Sequence, residues 1–186
     1  MAELGYGSKA FTLSLIENAI EVSKGRISAA EIAEVMNLGR SLLHLTAEPL
    51  PEVRQTLELL ARERGVRLAV LTKGDLLDQQ NKLRRSGLAP LFDHVSIVAD
   101  KTEQEYRQLC RATGIAPNEL LMVGNSFKSD IEPALNIGAW AAYIPFHITW
   151  AHEHIDEYEH EHLVTLSHFG ELLDYIEKGG DRKSVV

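Results

Sequence analysis

The feature that most constrains the fold of this chain is a strand-then-helix pattern that begins near residue 67. Short apolar runs of the kind found in strands buried on both faces recur along the chain, at 67–72, 95–98, 120–123 and 140–144. Helical patterns separate them, and this alternation specifies a parallel sheet with helices on both faces. We therefore predict an α/β protein with its functional groups in the loops that follow the strands.

Further helices are predicted on either side of this region. Residues 10–24 carry apolar side chains at helical spacing, and Ser28 with Glu31 has the form of a capping box that opens a second helix. A third helix precedes the first strand. Near the other end, 169–176 should form a helix that covers the sheet, and 179–186 should be a frayed tail.

Composition favours one soluble globular protein. The 186 residues, 45% of them hydrophobic, suffice for a substantial core. With 19 basic and 27 acidic residues the net charge is -8, and no basic stripe could neutralise a nucleic-acid backbone. No apolar run approaches the length that a bilayer requires. The single cysteine, Cys110, fits a core residue in a reducing compartment, so we expect a cytoplasmic protein with no nucleic-acid or membrane partner.

The end of the first strand offers a possible anion site. The Thr72 hydroxyl and the N-H groups of Lys73 and Gly74 precede a helix, where backbone donors favour an oxyanion. A β-branched residue that ends a strand and is followed by a glycine turn explains the same residues without any ligand.

Lys101 follows the second strand just ahead of another helix, where a cation opposes the helix dipole. It is either a solvated surface residue or a group that neutralises a phosphate or a nucleophilic carboxylate.

The loop after the third strand carries the most specific signal in the chain. Gly124, Asn125 and Ser126 are followed at short spacing by Ser129 and Asp130. One interpretation makes Gly124 a tight turn and either Ser129 or Asp130 a helix N-cap. The other makes Asp130 a ligand for a hard cation such as Mg2+, which prefers carboxylate oxygen.

Together, Thr72, Lys101 and the loop 124–130 resemble the second, third and fourth motifs of the haloacid dehalogenase superfamily, each at the end of a successive strand. The resemblance implies a Rossmann-like sheet with a small helical cap at 1–48 and the α/β core at 49–186. It also implies Mg2+-dependent hydrolysis of a small phosphorylated metabolite. Thr72 and Lys101 would hold the phosphoryl group, with Lys73 and Gly74 beside them.

For the metal, the resemblance implies binding by Asp130 and Asn125, supported by Gly124, Ser126 and Ser129. Asn125 stands where many members of the superfamily have an acidic residue. A dehalogenase that uses the same nucleophile without metal is the enzymatic alternative.

The family's first motif, Asp-x-Asp-x-Thr, has no counterpart in this sequence. Its first Asp is the nucleophile and its second the general acid and base. We therefore expect the first core strand to be missing, and the chain alone to be inactive and to bind Mg2+ weakly or not at all. An N-terminally incomplete sequence is the simpler explanation, and a non-catalytic binding module is the alternative. An open sheet would favour self-association, for example as a homodimer.

Histidines and glutamates are frequent between residues 147 and 168, among them His152, His154, His160 and His162. No helical pair of histidines with apolar backing is evident, so we interpret this stretch as a solvated loop or edge and leave metal binding open.

Overall fold

The computed structural model describes residues 7–45, 47–63, 65–146, 157–179 and 184–185. Helices come first and strands and helices then alternate, as the sequence predicts. The helices are α1 (Ser8–Val22), α2 (Ala29–Leu42), α3 (Val53–Leu60), α4 (Leu76–Arg85), α5 (Glu103–Thr113), α6 (Glu132–Asn136) and α7 (Glu171–Gly179). The strands are β1 (Ala69–Lys73), β2 (His94–Val98), β3 (Leu120–Gly124), β4 (Trp140–Tyr143), β5 (Leu163–Thr165) and β6 (Ser184–Val185).

Local sequence signals explain where several helices begin. The capping box at α2 is present, with the Ser28 hydroxyl accepting from the Glu31 N-H and the Glu31 carboxylate accepting from the Ser28 N-H. Asp75 caps α4 by accepting from the Asp78 N-H at 3.1 Å. Thr102 is the residue that precedes α5. These helices thus begin where the sequence predicts.

The strands are parallel but form two sheets. One sheet contains β1 and β2, and the other has the order β5-β4-β3-β6. The prediction of a parallel sheet with flanking helices is confirmed, and the structure adds that the sheet is divided between β1 and β3. Among the described residues no strand pairs with β1 on the side away from β2.

Side chains of β3 alternate between two of the three apolar cores of the described residues. Leu120 and Met122 pack on one face with Leu109 and Cys110 of α5, whereas Leu121 packs on the other face with residues of α3 and α7. The first core also contains residues of β1, so α5 spans the division and holds the two sheets together. Cys110 is only 3% exposed, which confirms its interpretation as a core residue.

The tail departs from the prediction. Ser184 and Val185 form a parallel strand beside Leu120 and Leu121, on the edge of β3 that faces away from β4. The expectation of a frayed tail over 179–186 is wrong for these residues. A two-residue strand has no hydrophobic period of its own, and its pairing depends on an open sheet edge elsewhere in the chain.

Helices α1 and α2 pack against each other, and α1 contacts the start of α4. The Ser8 backbone N-H and hydroxyl both donate to the Asp78 carboxylate, and Lys9 forms an ion pair with Asp75 at 3.0 Å. The division into a cap at 1–48 and a core at 49–186 remains a prediction.

Candidate functional site

The candidate site lies where the carboxyl ends of β1, β2 and β3 meet. Thr72 and Lys73 end β1, Lys101 follows β2, and Gly124 ends β3 and leads into the loop that carries Asp130. Parallel pairing aligns the ends of β1 and β2, and the contacts of Lys101 with Asp130 and of Lys73 with Ser129 connect them to the loop after β3. The structure thus brings together the residues that the sequence singles out, although they lie up to 58 positions apart.

Asp130 is the electrostatic centre of this arrangement. Its side chain is 6% exposed, and its Oδ1 atom accepts from the ammonium of Lys101 at 2.5 Å. Its Oδ2 atom accepts from the backbone N-H groups of Asn125 and Ser126 at 3.1 and 3.0 Å. The Lys101 side chain is only 14% exposed, so the interpretation of Lys101 as a solvated surface residue is wrong. A buried charge pair of this kind persists because hydrogen bonds compensate its desolvation.

Gly124 allows the Asp130 carboxylate to approach the end of β3. A Cβ atom added at Gly124 would lie 2.3 Å from Asp130 Oδ2 and 2.4 Å from Asp130 Cβ and Cγ. The φ angle of Gly124 is not positive, so any residue could adopt this backbone conformation. Glycine is required here because a side chain would occupy the space of the Asp130 carboxylate.

A single π-helical turn, Phe127–Ile131, presents Asp130 to the site. Its N-cap is Ser126, whose hydroxyl accepts from the Ser129 N-H at 3.1 Å. The alternative that made Ser129 or Asp130 the N-cap is therefore wrong. The cap lies closer to the strand because the wider π turn begins earlier than an ordinary helix would. Such turns are frequent at functional sites.

Tyr106, on α5, supports this turn and was not singled out by sequence reasoning. The side chain is fully buried, and its hydroxyl lies 3.1 Å from the carbonyl oxygens of both Ser129 and Asp130. Burial, with a contribution from the negative charge of Asp130, raises the pKa of Tyr106 well above its ordinary value. The phenol therefore acts as a neutral donor. A tyrosine within an apolar helix stripe gives no sign in the sequence that its hydroxyl has a buried partner.

The Thr72 hydroxyl donates to the side-chain oxygen of Gln79 at 3.0 Å. Gln79 was also missed, because nothing in the sequence pairs a residue within α4 with the end of β1. The Gly74 N-H donates to the Val98 carbonyl at 3.0 Å. This N-H therefore does not supply the oxyanion donor that the sequence predicts, because it already bonds to β2 and continues the β1–β2 pairing past the end of β1.

Lys73 faces the same edge. Its ammonium lies 3.2 Å from the Ser129 hydroxyl and 3.5 Å from the carboxylate of Asp100, whose side chain is 67% exposed. An open polar cleft of about 320 Å3 is lined by Lys73, Lys101 and Lys128 together with the acidic Asp100, Glu103 and Glu132. The cleft therefore offers cationic groups to a small molecule beside acidic ones.

The donor set for Mg2+ is incomplete in the described part of the chain. Asp130 is the one carboxylate in the loop 124–130, and both of its oxygen atoms already accept hydrogen bonds. Lys101 places a positive charge beside it, and the described ranges contain no group of three or more acidic, His or Cys side chains suited to a metal. Because Mg2+ requires several oxygen ligands, Asp130 and Asn125 do not by themselves fit the ion.

The histidine-rich stretch is described only from residue 157 onward, so His152 and His154 lie outside the described residues. The His162 ring stacks on Trp140 with 4.1 Å between centroids, and the backbone N-H of His162 donates to the Nδ1 atom of His160. These contacts join the stretch to the edge of β4.

The fold and the strand-end site define a Rossmann-type α/β protein with a partly buried Lys and a buried Asp at the carboxyl ends of its strands. The family model for haloacid dehalogenase-like hydrolases matches residues 2–138, and the chain belongs to this family. Within the described residues, no helix is both long and apolar enough to cross a membrane.

Curated relatives include phosphatases. The chain is 29% identical over 130 residues to N-acylneuraminate-9-phosphatase of Rattus norvegicus, covering 66% of this chain and 51% of that protein. It is 32% identical over 116 residues to glyceraldehyde 3-phosphate phosphatase of Methanothermobacter thermautotrophicus, covering 59% of this chain and 50% of that protein. The chain thus spans about half the length of these relatives.

Among solved structures, a haloacid dehalogenase-like family hydrolase from Xanthomonas campestris superposes with a TM-score of 0.81 at 31% identity, covering 94% of this chain and 70% of the other. A 2-haloacid dehalogenase from Pseudomonas syringae has a TM-score of 0.66 at 21% identity, covering 93% and 72%. The second likeness concerns the fold alone.

Proposed function

We propose that this chain forms the phosphate-binding part of a phosphate-monoester hydrolase that acts on a small phosphorylated metabolite. The observation that carries the proposal is that Lys101 pairs with Asp130 while Lys73, next to Thr72 at the end of β1, contacts Ser129 of the same loop. Cationic and hydroxyl donors fixed in place stabilise the charge that spreads over phosphoryl oxygens during transfer. The two named relatives are phosphatases, which supports this substrate class over halogenated acids.

The proposed reaction proceeds through an acyl phosphate. A carboxylate attacks phosphorus, the bond from phosphorus to the ester oxygen breaks, and the alcohol leaves after taking a proton. Water then hydrolyses the acyl phosphate, which releases inorganic phosphate and restores the carboxylate. The Thr72 hydroxyl would turn from Gln79 to a phosphoryl oxygen, and Lys101 would share its ammonium between Asp130 and the phosphoryl group.

Asp130 is not the nucleophile in this proposal, because its oxygen atoms are held by Lys101 and by two backbone donors. The attacking carboxylate has to come from outside the loop 124–130, and this chain alone is predicted to be inactive. The Mg2+ dependence that the resemblance implies is proposed only for an enzyme that brings this further carboxylate to the site.

Phosphate binding tests the first half of the proposal. We expect inorganic phosphate to raise the midpoint of thermal unfolding saturably at constant ionic strength, and Thr72→Val and Lys101→Met each to weaken that effect at least fivefold. Lys82→Met, which removes an exposed charge from α4, is the matched control and should leave it unchanged. Equal responses in all variants would show that the anion does not bind at this edge.

Hydrolysis tests the second half. Release of phosphate from an aryl phosphate is measured with and without Mg2+, for this chain and for a form extended by the residues encoded upstream. Activity that requires both the extension and Mg2+ supports the proposal. A folded extended form that binds phosphate and remains inert would favour a non-catalytic binding module instead.

A further inference from the structure

We infer that Gln79 is a positioning residue for phosphate, which controls where the hydroxyl of Thr72 donates its proton. The Thr72 hydroxyl donates to the Oε1 atom of Gln79 at 3.0 Å. A hydroxyl has one proton to donate, so this proton is not available to an anion while the hydrogen bond persists. The inference rests on the proposed function, in which Thr72 donates instead to a phosphoryl oxygen.

The place of Gln79 in α4 explains how its side chain reaches Thr72. Its backbone N-H donates to the carbonyl oxygen of Asp75, the N-cap residue, at 2.9 Å, so Gln79 lies one turn into the helix. Side chains on a helix point back towards its amino-terminal end. Thr72 lies just ahead of that end, among the last residues of β1. The Gln79 amide is thus returned to the strand end from which the helix departs.

Gly74 provides the space that the Gln79 amide occupies. A Cβ atom added at Gly74 would lie 2.9 Å from Gln79 Nε2, and 3.3 and 3.4 Å from its Cγ and Cδ atoms. A side chain at this position would therefore have to displace the amide from the strand end. The Gly74 backbone is itself held by its hydrogen bond to Val98. The glycine thus serves the placement of Gln79, although its own N-H is not an oxyanion donor.

A carboxamide can pair with the Thr72 hydroxyl in two ways. Its oxygen accepts a hydrogen bond and its NH2 group donates, and a hydroxyl oxygen accepts while its own proton is donated elsewhere. The terminal torsion of a glutamine is broad and roughly twofold, so the amide can turn over in place. After this turn Nε2 donates to Thr72 Oγ1, and the hydroxyl proton is directed to a phosphoryl oxygen. One hydrogen bond between the two side chains is kept in both states, and no covalent bond changes.

The Nε2 atom of Gln79 is available for this second role. Within the described ranges it donates no hydrogen bond, and the side chains of Gln79 and Thr72 are both half-buried. A partly buried donor is costly unless it finds an acceptor. Turning over on phosphate binding gives Nε2 that acceptor, because the oxygen atom of the Thr72 hydroxyl then has a lone pair directed towards it. Binding of phosphate and reversal of the amide therefore favour each other.

Titration of the full chain with inorganic phosphate at constant ionic strength tests this role. Gln79→Met fills a similar space with neither donor nor acceptor. We expect it to weaken phosphate binding by about fivefold or more, the loss expected for one neutral hydrogen bond. Gln80→Met makes the same change at the exposed neighbouring position of α4 and should bind phosphate as the parent chain does. Equal or tighter binding by Gln79→Met would overturn the inference, because the amide would then be irrelevant or only a competitor for the hydroxyl proton.

Two further readouts separate positioning from a general structural effect. In a Thr72→Val background, Gln79→Met should cause no additional loss of phosphate binding, because the amide acts through the hydroxyl. A full additional loss would contradict the inference. The side-chain NH2 resonances of Gln79 are identified by their absence from the NMR spectrum of Gln79→Met. They should shift and exchange more slowly with water when phosphate binds the parent chain, and resonances that stay unchanged would equally overturn the inference.

The outcomes also distinguish this inference from the proposed function. If Thr72→Val and Lys101→Met weaken phosphate binding and Gln79→Met does not, the phosphate site stands and the inference fails. If Gln79→Met behaves as expected and the form extended upstream hydrolyses no aryl phosphate with Mg2+, the inference stands and the proposed hydrolysis fails. Absence of phosphate binding by the parent chain would refute both.

Discussion

Replacing Gly124 with alanine should destabilise the protein, although substitutions from glycine to alanine often have the opposite effect. Where the backbone permits it, this change stabilises by about 0.4–1 kcal/mol, because it restricts the unfolded chain. At Gly124 the added Cβ would lie 2.3 Å from Asp130 Oδ2. Asp130 cannot withdraw freely, because Lys101 and two backbone N-H groups hold it.

The magnitude follows from the two ways in which the clash can be relieved. Overpacking a buried site costs about 1–3 kcal/mol, and breaking a buried ion pair costs about 3–5 kcal/mol. Overpacking is the less costly of the two and therefore sets the destabilisation. After subtracting the stabilisation that comes from restricting the unfolded chain, we expect the free energy of unfolding to fall by about 1–2 kcal/mol. At this chain length that corresponds to a fall of roughly 2–8 °C in the melting temperature.

Urea unfolding of four proteins in a double-mutant cycle measures the effect and its cause. The second substitution is Asp130→Gly, because Asp130 Cβ itself would lie 2.4 Å from the new atom and an alanine would retain it. In that background Gly124→Ala should be neutral or stabilising. An unchanged or higher stability of Gly124→Ala in the parent chain would refute the close approach of the Asp130 carboxylate.

Three further predictions concern contacts around the site and the helix pair. Tyr106→Phe should lower the free energy of unfolding by about 1–2 kcal/mol, because two buried carbonyl groups lose their donor, and denaturation at neutral pH measures it. Gly39→Ala would place a Cβ 2.1 Å from the Thr12 hydroxyl and should raise amide exchange in α1 and α2 while β3 and β4 stay protected; Thr12→Ala should partly restore protection. The hydrogen bond and ion pair with Lys9, together with the hydrogen bond from the Asp78 N-H, lower the pKa of Asp75 below 3.8. The ionised Asp75 therefore stabilises the folded chain fully above the pKa that Asp75 has in the unfolded chain. This stabilisation is lost as the pH falls through the lower pKa that Asp75 has in the folded chain. Lys9→Gln should therefore reduce stability slightly at pH 6, by under about 1 kcal/mol because the pair is exposed, and by less at pH 2–3.

Local sequence signals predicted the elements well where the interactions are themselves local. The capping box of Ser28 and Glu31, the cap at Asp75 and the ends of β1 and β3, which lie one residue beyond the predicted runs, each depend on residues within a few positions of one another. These features could be predicted because little tertiary information is needed to specify them.

The contacts that organise the site depend on tertiary structure and could not be predicted in this way. Tyr106 contacts a turn more than 20 positions away, and Gln79 reaches back across a loop to Thr72. Lys101 resembled a surface lysine because its burial depends on Asp130, which the third loop supplies. The residue pattern of one strand or helix does not show which residues of other elements pack against it.

The ion pair of Lys101 and Asp130 bears on whether fold and activity can be separated in this chain. If Lys101 had no partner, a lysine 14% exposed would carry a large desolvation cost, and the edge would depend on an incoming carboxylate for its stability. Asp130 meets that need, and its own second oxygen is satisfied by backbone donors within the same loop. The edge that carries Lys101 and Asp130 can therefore stay assembled through its own hydrogen bonds. Loss of Lys101 should consequently lower both the stability of the chain and its proposed binding of phosphate.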